Sequence, residues 1–265
     1  MFKRWFNRRI RNFARTPIPE SKRYYVFGDI HGHLDHLNTL LAAVEQDLRL
    51  RPIAEVTEIF LGDYIDRGPS SAGVIEALSR GPKAGRNRLC LMGNHESIML
   101  TFLTTPDVLP RWINVGGSPT LKSYGINLHP TAVNAFEIQR QFRLAMPRKH
   151  LNFLRTLPTM HHIDGYAFVH AGVRPGVPLI YQRDEDLMWI RHEFLDYTGD
   201  FGALVIHGHT PHSQIELKPN RINIDTGVYI TGKLTCAVLD SEGLRFLQTD
   251  RGQVQSFSAS ALVGQ

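Results

Sequence analysis

Acidic, imidazole and amide side chains recur in this chain at the ends of short apolar runs. Asp29 and His31 stand two residues apart in Gly28-Asp29-Ile30-His31-Gly32, directly after Tyr24-Tyr25-Val26-Phe27. Asp63, Asp66 and Arg67 follow the apolar run 56–61, in Gly62-Asp63-Tyr64-Ile65-Asp66-Arg67-Gly68. Asn94, His95 and Glu96 follow the run 89–92, His170 follows 166–169, and His207-Gly208-His209 follows 204–206. The donors Asp29, His31, Asp63, Asn94, His170 and His209 are oxygen and nitrogen with no thiolate. That set suits Mn²⁺, Fe or Zn²⁺ better than a structural four-cysteine zinc site. Six donors exceed what one open ion takes and match two. Two ions about 3.5–4 Å apart clamp both the attacking and the leaving oxygen of a phosphoryl transfer. His207 competes with His209 for a ligand role, because residues two apart on a strand share a face. Asp225 offers either an acceptor that orients a ligand imidazole or a turn cap.

These residues need elements that bring them together. Leu34, Leu37, Leu41, Val44 and Leu48 recur at helical spacing after the first tip. Val74, Ile75 and Leu78 do so after the second, and Ile98, Met99 and Phe102 after the third. Three successive strand–turn–helix units predict a parallel sheet with right-handed crossovers, whose polar tips gather on one edge. Residues 105–130 carry Pro106, Pro110, Gly116, Gly117 and Pro119 and read as a long loop, a lid or substrate-facing insert bearing Arg111, Trp112 and Tyr124. Residues 131–157 read as one or two helices interrupted at Pro147. The second half is strand-rich. Asp164-Gly165 marks a hairpin, and the runs 234–239 and 244–248 pair around 241–243. This half is expected to form a second sheet packed on the first, giving one α/β sandwich with helices outside.

The segments GDIHG, GDYIDRG, GNHE, HAG and HGHTP resemble the phosphoprotein phosphatase family, within the calcineurin-like metallophosphoesterases. They span residues 28–211, and the bacterial-type branch is the most similar. The animal-type C-terminal signatures are missing, and Ile222-Asn223-Ile224-Asp225-Thr226-Gly227 stands there instead. The resemblance implies a fold of two mixed sheets with helices outside and two divalent metal ions, Mn²⁺ foremost. It implies that Asp29 and His31 hold the first metal, Asp63 bridges both, and Asn94, His170 and His209 hold the second. His209 is preferred over His207 because it matches the family position. A metal-bridging hydroxide would be the nucleophile. Arg67 and Arg191 (in Met188-Trp189-Ile190-Arg191) would grip the phosphate as planar forks. His95 would protonate the leaving alkoxide, with Asp66 orienting it. The implied activity is that of a serine/threonine-type protein phosphatase acting on a phosphoprotein or phosphopeptide. The alternative is a bis(5'-nucleosyl)-tetraphosphate hydrolase of the same superfamily. Such hydrolases usually lack an acid at the position of Asp66, which favours monoester hydrolysis.

Composition sets bounds on this reading. A chain of 265 residues with 42% hydrophobic and 21% charged residues has the make-up of an ordinary globular protein. No apolar run approaches the ~18 residues of a membrane span. Cys90 and Cys236 lie in apolar runs and read as buried thiols of a reducing compartment. Formal net charge is +5, but residues 1–23 alone hold eight Lys/Arg and one acid, leaving the remainder at −2. A specific nucleic-acid partner is therefore not expected. Within residues 1–15, Phe2, Trp5, Phe6, Ile10 and Phe13 fall on one arc of a helical wheel and most cations on the other. That pattern suits peripheral contact with an anionic membrane surface, or docking on the protein's own domain. The expected organisation is a basic tail and linker over 1–23, a catalytic domain over 24–250 and a C-terminal tail over 251–265, in a cytoplasmic protein.

Overall fold

Tyr24 and Val26 point one way from the first strand, and Tyr25 and Phe27 the other, and all four are buried. A strand that is apolar on both faces must lie between two layers. The structure, a computed structural model, describes residues 17–128 and 134–262. The amphipathic stretch expected over residues 1–15 lies outside the described residues. β1 (Lys22–Phe27), β2 (Glu55–Phe60) and β3 (Arg86–Cys90) pair in parallel. Each leads into a helix: α1 (Leu34–Leu50), α2 (Ser71–Ser79) and α3 (Asn94–Phe102). β3 starts earlier than its apolar run because its polar residues are paired. Arg86 forks onto Glu45 of α1 at 2.6 and 2.9 Å, and Arg88 onto Glu58 of β2 at 2.9 and 2.6 Å.

Residues 105–128 are not an irregular loop. They contain α4 (Leu109–Asn114) and α5 (Ser118–Ser123), each with proline in its first turn, where the missing N–H costs nothing. Trp112 is fully buried against Phe102 and Phe142, so α4 is part of the core. α6 (Ala135–Ala145) and α7 (Arg148–Arg155) follow, divided at Pro147 as expected.

The second sheet holds β4 (Met160–Ile163), β5 (Tyr166–Val169), β6 (Leu204–His207), β7 (Glu216–Leu217) and β8 (Arg221–Asn223), in the order β4-β5-β6-β8-β7. β5, β6 and β8 run parallel. Asp164 and Gly165, at φ 51° and 78°, turn the β4–β5 hairpin. α8 (Asp184–Trp189), α9 (His192–Leu195) and the short α10 (Val228–Thr231) lie between and after these strands.

Two expectations for the C-terminal part are corrected. β9 (Thr235–Asp240) and β10 (Gly243–Asp250) do not join the second sheet. They return to the first, with β9 antiparallel to β1. β9 is buried along its whole length: it pairs with the open edge of β1, Cys236 and Val238 face the layer under the helices, and Ala237 and Leu239 face the layer between the sheets. Residues 253–258, expected within a tail, form the edge strand β11 (Gln253–Ser258), turned back by Arg251 and Gly252 at φ 50° and 78°. The first sheet therefore reads β11-β10-β9-β1-β2-β3.

Three apolar layers hold the sandwich. Tyr24, Val26, Ile59 and Leu61 meet Phe168, Leu204, Ile206 and Ile222 between the sheets. Tyr25, Phe27 and Phe60 pack under the helices of the first half. Val169 and Val205 pack under Leu187 and Phe194. The consequence for chemistry is topological. The C-terminal ends of β1, β2 and β3 in one sheet and of β5, β6 and β8 in the other open on one edge.

Candidate metal centre and active site

Asp63, just past the end of β2, is the hub. Its buried Oδ2 lies 3.7 Å from His31 Nε2, 3.4 Å from His170 Nε2 and 3.8 Å from His95 Nε2. Two buried groups of donors meet on it: His31, Asp63 and His95, and Asp63, His170 and His209, with ligand atoms within 4.8 Å of one another in each group. The backbone aims these side chains. His31 Nδ1 donates to the Ile65 carbonyl at 2.9 Å, and His170 Nδ1 to the Leu61 carbonyl at 3.0 Å. In both rings the other nitrogen is thereby left facing Asp63, the arrangement that metal-binding histidines use. Asn94 Oδ1 lies 2.9 Å from both His170 Nε2 and His209 Nδ1, which puts three expected ligands in mutual contact. His209 Nε2 is buried with no hydrogen-bond partner.

Asp29 stands slightly apart. Its carboxylate accepts the backbone N–H of His209 at 3.1 and 3.3 Å, tying the tip of β1 to that of β6. Burial, with Asp225 and Asp63 nearby, pushes its pKa well above the usual carboxylate range. The buried carboxylates of Asp29, Asp63 and Asp225, with the unpaired Nε2 of His209 beside them, are a poor protein core and a good cation cradle. The residues present therefore fit two divalent cations.

The strain is concentrated here too. His31, Asp63, Asp66, Arg67 and His209 all have φ between 44° and 72°, a region non-glycine residues seldom adopt. Such conformations persist where the surroundings over-determine them, commonly at functional sites. At Gly93 and Gly208 a Cβ would collide with the carboxylates of Asp63 and Asp29 respectively, so only glycine admits them.

A second constellation borders the first. His95 Nδ1 donates to Asp66 Oδ2 at 2.7 Å, both side chains being buried. Asp66 is held by Trp112 Nε1 at 3.0 and 3.1 Å and by Thr120 Oγ1 at 2.6 Å. Burial opposes charging His95, but Asp63 and Asp66 outweigh it and raise its pKa. Arg67 brings its guanidinium nitrogens to 3.1 Å from His31 Nε2 and 3.2 Å from His95 Nε2, and the group lies 4.1 Å from the centroid of the Tyr229 ring. Arg191 is exposed at the rim and reaches Thr210 Oγ1 at 3.3 Å, next to His209.

Other expectations fare differently. His207 points away from the cluster, edge-on to Phe194 at 4.9 Å, and burial lowers its pKa to about 3. Asp225 accepts the Gly227 N–H at 2.9 Å, the turn cap rather than a partner for a ligand imidazole. Glu96 carries a role that residue chemistry did not give it. Its carboxylate accepts the N–H groups of Asp63, Tyr64 and Gly93 at 2.8, 2.8 and 3.1 Å, clamping the Asp63 turn to the start of α3. The readable signal was its place at the third helical position, where an acid reaches back to the cap. Trp189 and Tyr229 also flank the site and have no sequence signal of their own.

Comparisons agree with this geometry. Over 254 residues the chain is 25% identical to the asymmetrical bis(5'-nucleosyl)-tetraphosphatase PrpE of Bacillus subtilis, covering 88% of this chain and 94% of that protein. The enzyme of the same name from Bacillus velezensis is 24% identical, with 88% and 92% covered. Among solved structures, one provisionally assigned as a diadenosine tetraphosphatase superposes with a TM-score of 0.55 at 20% identity, covering 90% of this chain and 94% of that one. A cold-active protein-tyrosine phosphatase from a psychrophilic Shewanella superposes with a TM-score of 0.51 at 16% identity, covering 92% and 83%. These two likenesses concern the fold. The family model for calcineurin-like phosphoesterases matches residues 22–232, and the chain belongs to that family of metal-dependent phosphoester hydrolases.

Proposed function

We propose that this enzyme hydrolyses dinucleoside polyphosphates, splitting a bis(5'-nucleosyl) tetraphosphate asymmetrically into a nucleoside triphosphate and a nucleoside monophosphate. The observation that carries this reading is the end-to-end likeness to PrpE-type enzymes, 88% of this chain against 94% of the Bacillus subtilis protein. The arginines support it. Arg67 lies against His31 and His95, and Arg191 lies beside His209 through Thr210. Two guanidinium forks on opposite sides of Asp63 suit a chain of consecutive phosphates.

In this reading Asp29, His31 and Asp63 hold one cation, and Asp63, Asn94, His170 and His209 the other. Bound there, the cations would supply Lewis-acid stabilisation of phosphoryl oxygens and lower the pKa of water. Arg67 binds the phosphoryl oxygens at the inner end, and Arg191 those at the rim. Asp66 fixes the His95 ring through Nδ1, so that Nε2 carries a proton toward the departing oxygen.

The His95–Asp66 pair also favours a second reading, a phosphomonoesterase acting on phosphoproteins. An alkoxide is a poor leaving group and gains most from a held proton donor, whereas a phosphate leaves an anhydride with less help. The test is to measure kcat/KM of the metal-loaded enzyme on diadenosine tetraphosphate beside phosphoserine, phosphothreonine and phosphotyrosine peptides. Clear preference for the dinucleotide upholds the first reading. Turnover of peptides alone replaces it with the second.

A further inference from the structure

Two parts of the chain that are far apart in sequence meet as a cation over an aromatic ring beside the metal cradle. Arg111, exposed on α4, lays its guanidinium 5.2 Å from the centroid of the Trp189 ring, at the end of α8. The Trp189 ring in turn stands at 77° to the ring of His209, centroids 6.3 Å apart. Trp189 is half-buried, unlike Trp112, which is fully buried and spends its N–H on Asp66. Arg191, two residues on from Trp189, reaches Thr210 at 3.3 Å. An indole face, an exposed planar cation and a second arginine therefore gather beside one imidazole of the metal cradle.

We infer that Trp189 and Arg111 form a nucleobase subsite: a purine stacks on the indole face, with the Arg111 guanidinium over its other side. This rests on the dinucleoside polyphosphate reading and gives it a base-recognition element. The chemistry is that of flat π-surfaces. Guanidinium stacks on aromatic faces, and every nucleobase offers such a face. Arg111 is exposed, and its head group makes neither a hydrogen bond nor an ion pair among the described residues, so it moves outward at little cost. A ribose joins the stacked base to a phosphate held by Arg191 beside His209. An aliphatic phosphoserine side chain has nothing to place there.

Calorimetry on the metal-loaded protein tests this with a non-hydrolysable pair, α,β-methylene-ADP and methylenediphosphonate, which share the anionic anchor and differ by the nucleoside. Stacking of one base is worth on the order of 10- to 100-fold in affinity. The wild type should prefer the nucleotide by that order. Trp189→Leu should collapse the preference toward unity while binding of methylenediphosphonate and metal content stay as they were. Arg111→Ala, at an exposed position that the fold does not need, should weaken the nucleotide alone, by several-fold. No preference in the wild type, or an unchanged preference in Arg111→Ala and in a folded Trp189→Leu, overturns the subsite. Turnover of diadenosine tetraphosphate is measured separately, so the reading of the reaction can stand where the subsite falls, and the reverse.

Discussion

His95 and Asp66 form a buried hydrogen bond of 2.7 Å in which the imidazole donates from Nδ1 and keeps Nε2 toward Arg67 and Asp63. A pair that acts as one unit gives non-additive losses. His95→Asn, Asp66→Asn and the double variant should each slow hydrolysis of an alkyl phosphate by about 10²–10⁴, with the double no worse than His95→Asn alone. On p-nitrophenyl phosphate, whose phenolate leaves unaided, the losses should be far smaller. Equal losses on both substrates, or additive losses in the double variant, would count against a shared proton-donating role.

Asp63 is the one residue common to both donor groups. Asp63→Asn should lower bound metal and turnover together. Elemental analysis of the folded variant showing two ions per chain at normal activity would remove the bridging assignment.

Glu96 holds four backbone N–H groups, those of Asp63, Tyr64, Ile65 and Gly93. An amide at this position offers one acceptor oxygen in place of two, and leaving a buried donor unmet costs about 1–3 kcal/mol. Glu96→Gln should lose stability of that order in urea unfolding of the metal-free protein. An unchanged midpoint would show that the clamp is not structural.

Glu45 gives a pH-dependent stability. The hydrogen-bonded fork from Arg86, helped by Lys83, lowers its pKa to about 2 despite partial burial. A folded pKa below the unfolded value stabilises the fold above the unfolded value and is lost as pH falls toward the folded one. The difference in stability between wild type and Glu45→Gln should therefore be full above about pH 4.5 and shrink toward pH 2. Urea unfolding across that range checks it. A difference that does not vary with pH would mean the Arg86–Glu45 link carries no linkage.

Much of this architecture could be read in the sequence because period and chemistry coincide. The three strand–turn–helix units alternate apolar and helical spacing cleanly, and their tips carry the donors, so Asp29, His31, Asp63 and Asn94 were legible with their elements. The order of the C-terminal strands was not. β9 is apolar over Cys236, Ala237, Val238 and Leu239, and such a run does not say which sheet receives it. α4 and α5 were hidden by Pro110 and Pro119, since proline punctuates a loop and a helical first turn alike. Trp189 and Tyr229 owe their positions to tertiary packing, and no local pattern separates a site aromatic from a core one. The strain at His31, Asp63 and His209 was equally invisible, since positive φ is expected of glycine and not of these residue types.

The most direct test of the account is product analysis on diadenosine tetraphosphate. The metal-loaded enzyme should yield ATP and AMP in equal amounts, resolved by ion-exchange chromatography in the first turnovers. Asp63→Asn should yield neither. Formation of ADP alone would contradict asymmetric cleavage. An intact dinucleotide, under conditions where phosphopeptides are hydrolysed, would contradict the proposed substrate class altogether.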